Sequence, residues 1–116
     1  EEIYHIVRDA QHNAISAVKP GAVSSKVDAA ARDFISQKGY GENFGHGLGH
    51  GVGLDIHELP ALKSSSEIKL KKNMVITIEP GIYLPETGGV RIEDMVLVTS
   101  KGAEVLTKCS KELIVI

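Results

Sequence analysis

The sequence predicts an α+β fold, two amphipathic helices packed on an antiparallel sheet, and three observations predict it. Apolar residues recur at three- and four-residue steps as far as Ile35. Beyond Tyr40 they gather in short, β-branched runs broken by turn residues. Between these two regimes lies a stretch with glycine at every second position. Helices followed by strands, rather than alternating with them, make an α+β layout.

The first helix is expected over Glu1 to Val18, where Ile3, Ile6, Val7, Ala10, Ala14, Ile15 and Val18 mark one face. Lys19-Pro20-Gly21 ends it, since proline cannot continue the hydrogen-bond ladder and glycine permits a reversal. In the second helix Ser25 is read as the cap, with Asp28 three residues on, and Val27, Ala30, Ala31, Phe34 and Ile35 form the stripe. Gly39 stands where a left-handed C-terminal cap is usual. Strands are expected at Met74 to Glu79, Val90 to Thr99, Val105 to Leu106 and Leu113 to Ile116. Gly88-Gly89 and Lys101-Gly102 read as turns, the second a hairpin. The short connection between the helices predicts antiparallel packing, and no repeat or linker divides the chain.

Composition narrows the function classes. The chain has 116 residues, 42% hydrophobic and 24% charged, enough for one domain with a modest core. Thirteen Lys and Arg stand against 15 Asp and Glu, so no basic field draws nucleic acid or an anionic membrane. Lys69 to Lys72 reads as a solvated turn. Cys109 is the single cysteine, which rules out an internal disulfide and suits a reducing cytoplasm. No apolar stretch approaches the roughly 20 residues of a membrane helix.

The chemistry concentrates in Gly45 to Glu58, G-H-G-L-G-H-G-V-G-L-D-I-H-E. Glycine at 45, 47, 49, 51 and 53 excludes a helix, at a cost of about 1 kcal/mol per site relative to alanine. Read as one extended segment, it bares a glycine face to a neighbouring backbone or ligand and puts His46, Leu48, His50, Val52, Leu54 and Ile56 on the other. A phosphate loop is excluded because the Walker lysine and serine are absent, and a zincin helix because position 61 is Ala61 and Pro60 would break it. Each histidine alone would be read as structural, but three within this segment, with glutamates on later strands, point to a site. In a straight strand His46 and His50 stand ~13 Å apart, too far to share an ion held at ~2 Å. His50 and His57 have opposite parity and face one pocket only if the strand bends. Glu79 closes an apolar strand before Pro80-Gly81, and Arg91 and Glu93 share a face by alternation. A strand-end glutamate alone would be a solvated rim residue. Carboxylates with one imidazole make a hard donor set suited to manganese, cobalt or zinc.

Taken together, His46 to Pro60, Ile78-Glu79-Pro80-Gly81-Ile82-Tyr83 and Gly89-Val90-Arg91-Ile92-Glu93-Asp94 resemble the Xaa-Pro aminopeptidase and prolidase family, of the creatinase-like pita-bread fold. Methionine aminopeptidases share the fold, but Gly-Val-Arg-Ile-Glu-Asp resembles the proline-specific branch. The resemblance covers essentially the whole chain. It implies that residues 1–116 are the carboxy-terminal half of a catalytic domain, one half of the pita-bread fold. It implies metal ligation by His50, Glu79 and Glu93, substrate contact by His46 and His57, and catalytic roles for His57, Glu79 and Arg91. Two divalent ions are implied, Mn2+ first and Co2+ or Zn2+ as alternatives, with a peptide bearing proline at its second position as substrate. The family's two aspartate ligands have no counterpart here, so the chain alone is expected to be inactive and to pair with the missing amino-terminal half or with a second copy. A non-catalytic peptide- or protein-binding module and a creatinase-type amidinohydrolase are the alternatives, and the four retained His and Glu side chains weigh against the first.

Overall fold

The computed structural model describes all residues, Glu1–Ile116. Helix α1 spans Glu2–Ala17 and α2 spans Ser24–Gln37; a single 3₁₀ turn follows at Gly41–Asn43. Seven strands come next: β1 Gly49–Gly51, β2 Glu58–Leu62, β3 Val75–Ile78, β4 Gly81–Leu84, β5 Gly88–Arg91, β6 Asp94–Thr99 and β7 Gly102–Val105. Five form one antiparallel sheet in the order β2-β1-β3-β6-β7, and β4 and β5 form a separate hairpin. The α+β reading is correct.

The two helices pack on each other and on the sheet. Val7, Ala10 and Ala14 of α1 and Val27, Ala31 and Ile35 of α2 are essentially inaccessible, as their periodicity requires. They meet Ile76, Ile78, Val96 and Val98, the inward residues of the two central strands. Small alanines at the helix contact let the backbones approach, while branched residues from the sheet fill the remaining space.

Local readings held at Gly39, whose φ of +90° is the left-handed cap, and at the β6–β7 hairpin, where Thr99 pairs with Gly102. Others did not. No side-chain hydrogen bond caps α2, whose preceding residue is Val23. Ser25 Oγ instead reaches Glu67, and Asp28 turns inward to Arg32. The expected strand Val90 to Thr99 is two strands, β5 and β6, parted at Ile92 and Glu93. Gly88 and Gly89 lie within β5 rather than in a turn, and β4 was not foreseen. Leu113 to Ile116 forms no strand. The chain before it is held at α1, where Tyr4 donates its hydroxyl to the Lys111 carbonyl at 2.6 Å and Arg8 pairs with Glu112 at 2.7 Å. β-Branched composition supplies propensity, but a strand also needs an edge to pair with. Val52, Leu54, Ile56 and Leu59, together with Ile114 to Ile116, leave apolar side chains exposed.

Candidate active site

The glycine-rich segment does not run straight. β1 pairs with β2 through Gly49–Leu62 and His50–Ala61, and the register slips between His50 and Gly51. Such a bulge bends a strand and re-aims a side chain. Beyond Gly51 the chain loops out, leaving Leu54 and Ile56 exposed rather than on a continued strand face, and returns as β2. His57 is thereby carried back beside His50, their ring centroids 4.8 Å apart and nearly perpendicular. Parity had set them on opposite faces; the bend brings them together. Gly49 and Gly51 permit this close packing, since a Cβ at Gly49 would strike the Thr77 carbonyl and one at Gly51 the Leu59 carbonyl.

A cavity of about 360 Å³ opens on this bend, lined by His46, His50, His57, Lys63, Glu79 and Arg91 together with backbone of the glycine segment. Five of the six site residues read from sequence therefore share one cavity. Glu93 does not line it; it is exposed, in the link between β5 and β6. The alternation that put Arg91 and Glu93 on one face fails because β5 ends at Arg91.

Within the cavity His50 Nε2 lies 3.1 Å from Glu79 Oε1. His50 Nδ1 is 2.7 Å from the Gly51 carbonyl, which can only accept, so Nδ1 carries the proton. In the neutral ring Nε2 then presents its lone pair toward the cavity, the tautomer of a metal ligand. Glu79 Oε1 also accepts the Thr77 hydroxyl at 2.9 Å, while Thr77 Oγ1 receives the His50 N–H at 3.0 Å. Thr77 was not singled out from sequence, although it precedes Glu79 by two residues and shares its strand face. Gln11, buried on α1, donates to the carbonyls of Ile78 and Ile92, each 3.2 Å away and each just before a glutamate of interest.

A second chain of contacts runs through Tyr83, also missed as a site residue. His46 Nδ1 donates to the Gly47 carbonyl at 2.7 Å, so its Nε2 accepts the Tyr83 hydroxyl at 2.7 Å. Arg91 Nη1 reaches the same Tyr83 oxygen at 3.4 Å, and Arg91 Nε lies 3.9 Å from Glu79 Oε2. The Arg91 guanidinium is held above its ordinary range by its hydrogen bond to Tyr83 first, then by charge on Tyr83, Glu79 and Glu93. It stays cationic throughout the working range of any enzyme.

The donor chemistry suits a divalent ion, an imidazole nitrogen with its far side tied to backbone beside a carboxylate oxygen. The count does not complete a site: no three His, Cys, Asp or Glu side chains of the chain gather as an ion-holding group. The fold and these residues define a polar cavity in which one imidazole and one carboxylate stand side by side.

The profile of metallopeptidase family M24 matches residues 1–100, and the chain belongs to that family. It is 56% identical to a Xaa-Pro dipeptidase of Pyrococcus furiosus over 113 residues, 97% of this chain and 32% of the relative. Among solved structures it superposes on a Xaa-Pro dipeptidase from Bacillus anthracis with a TM-score of 0.96 at 53% identity, covering 99% of this chain and 32% of that one. An X-Pro aminopeptidase from Thermotoga maritima gives 0.94 at 44% identity, over 99% of this chain and 33% of the other. The chain thus spans about a third of the length of the relatives it matches, and its architecture is that of the pita-bread peptidases. No helix is long and apolar enough to cross a membrane.

Proposed function

We propose that this chain forms the carboxy-terminal half of the catalytic domain of a cytoplasmic, metal-dependent peptidase that removes the residue ahead of proline from Xaa-Pro dipeptides or peptides. The observation that carries the reading is the convergence of His50 Nε2 and Glu79 Oε1, 3.1 Å apart, in a cavity shared with His46, His57 and Arg91. The names of the relatives, Xaa-Pro dipeptidase and X-Pro aminopeptidase, support the substrate class.

In this reading His50, Glu79 and Glu93 are metal ligands, and two divalent ions, Mn2+ first, occupy the complete site. When bound, such ions supply Lewis-acid polarisation of the scissile carbonyl and acidify water. Glu79 accepts the proton of the attacking water, as a carboxylate within reach of that water can. His57 donates a hydrogen bond to the oxygen that gains charge. His46, its Nε2 held by the Tyr83 hydroxyl, contacts the peptide, and Arg91 orients the Glu79 carboxylate from its other side. Glu93 is exposed on the β5–β6 link, where a segment from elsewhere in the complete protein can reach it. The two aspartate ligands come from the missing amino-terminal half, and a second copy of this chain is the other way to cover its exposed apolar side chains.

The test joins this chain to the remainder of its parent protein and titrates Mn2+ while following hydrolysis of a Xaa-Pro dipeptide. Metal-dependent turnover that Glu79→Gln abolishes is expected, with none from the 116-residue chain alone. Metal-independent turnover, or peptide binding without turnover in the completed protein, would overturn it.

A further inference from the structure

Asp28 and Arg32 approach the cavity from α2, and neither enters the chemistry above. Asp28 is fully buried, and its Oδ1 accepts the Leu48 N–H at 3.1 Å. Arg32 meets it as a fork, Nε to Oδ2 at 2.7 Å and Nη2 to Oδ1 at 2.9 Å. The same guanidinium donates from Nη1 to the Phe44 carbonyl at 2.9 Å and from Nη2 to the His46 carbonyl at 2.7 Å. Its Cζ stands 4.2 Å from the centroid of the Phe44 ring, whose edge-to-face partner at 5.1 Å is the His46 imidazole. Backbone groups of residues 44, 46 and 48 are therefore tied to one ion pair, and the residues between them are Gly45 and Gly47. Glycine gives that stretch little stiffness of its own.

We propose that Arg32, seated on Asp28, is the positioning residue that sets the place and tautomer of His46. This rests on the reading of His46 as a contact for the peptide. Four hydrogen bonds leave the guanidinium in divergent directions, two to a carboxylate and two to carbonyls. Only a planar fork does this; a lysine ammonium could neutralise Asp28 but not span all four acceptors. An ion pair of this kind is a poor device for stability alone, because desolvation offsets most of its attraction. Its geometric effect is specific: it fixes the turn from which His46 Nδ1 reaches the Gly47 carbonyl and Nε2 reaches Tyr83. The sequence reading had placed Asp28 in a helix cap; the structure turns it toward the site instead.

The test is the imidazole nitrogen spectrum of the full chain. Unmodified protein should show His46 in a single tautomer protonated on Nδ1. Arg32→Lys should average His46 between tautomers while His50 and His57 keep their signals and the helix content is unchanged. His46 remaining in one tautomer in both Arg32→Lys and Arg32→Ala overturns the proposal. Should both variants unfold, the unmodified protein still answers: resolved Nη signals of a rotationally locked Arg32 guanidinium are expected, and one averaged signal overturns it. In the completed peptidase Arg32→Lys should raise KM about tenfold with kcat little changed, within the loss that an ångström of misplacement brings. Absence of any peptidase activity in the unmodified completed protein would count against the functional reading, and the His46 signals would judge the positioning role independently.

Discussion

His50 Nε2 lies 3.1 Å from Glu79 Oε1, and the Thr77 hydroxyl touches both residues, donating to the carboxylate and accepting the His50 N–H. With Nδ1 protonated, Nε2 faces the carboxylate either as an imidazolium donor or as a lone pair beside a cation. The lone-pair form makes this pair the place where a divalent ion should bind first. Added Mn2+ should broaden the resonances of His50 and Glu79 before those of Glu93, and His50→Ala should abolish that selectivity. Broadening spread evenly over the surface carboxylates would contradict the assignment.

Thr77→Val keeps the volume but removes the hydroxyl, leaving a His50 N–H without its acceptor and Glu79 free to swing. The loss should amount to about 1–3 kcal/mol in denaturant unfolding. In the completed metal site it should also weaken metal affinity by roughly 10–100-fold, the usual effect of removing a partner that orients a ligand. An unfolding midpoint and metal affinity equal to the parent's would show that the hydroxyl does not hold the pair.

Two glycines of the same segment should behave oppositely. At Gly49 a Cβ would collide with the Thr77 carbonyl of the neighbouring strand, whereas at Gly45 nothing lies within 4 Å of it. Gly49→Ala should therefore destabilise by roughly 1–3 kcal/mol. Gly45→Ala should be neutral, or stabilising by up to about 1 kcal/mol through loss of unfolded-state freedom. Equal effects in thermal unfolding would refute the close-approach account.

Lys111 Nζ lies 2.6 Å from Asp94 Oδ1, a charge contact whose angle misses a hydrogen bond, and the carboxylate is 3% exposed. Lys111→Met leaves that buried charge without its cation and should cost about 3–5 kcal/mol. Adding Asp94→Leu should recover most of the loss, since an apolar pair of similar volume replaces a buried ion pair at little cost. A double variant no more stable than Lys111→Met would mean that the terminal segment is held by other contacts, Tyr4 and Arg8 foremost.

What was local was legible. Apolar spacing gave both helices nearly to the residue, because a helix closes its hydrogen bonds within a few positions and buries one stripe. Five cavity residues could be picked out: His46, His50 and His57 from imidazoles amid alternating glycines, Glu79 from a carboxylate ahead of Pro-Gly, and Arg91 from the family resemblance of Gly89 to Asp94. Glu93 was also picked out, yet the break after Arg91 turns it away from the cavity.

The sequence alone determined the two-helix-and-sheet architecture, the family, and most of the side chains that line the cavity. Only the tertiary structure decided that the glycine segment bends to join His50 to His57, that Thr77 and Tyr83 complete the contacts, and that Asp28 and Arg32 grip the His46 turn. It also decided that Leu113–Ile116 stays unpaired. The reason is range: periodicity reports which face a residue occupies within its own element. Bulges, strand edges and ion pairs depend on which distant backbone arrives beside it.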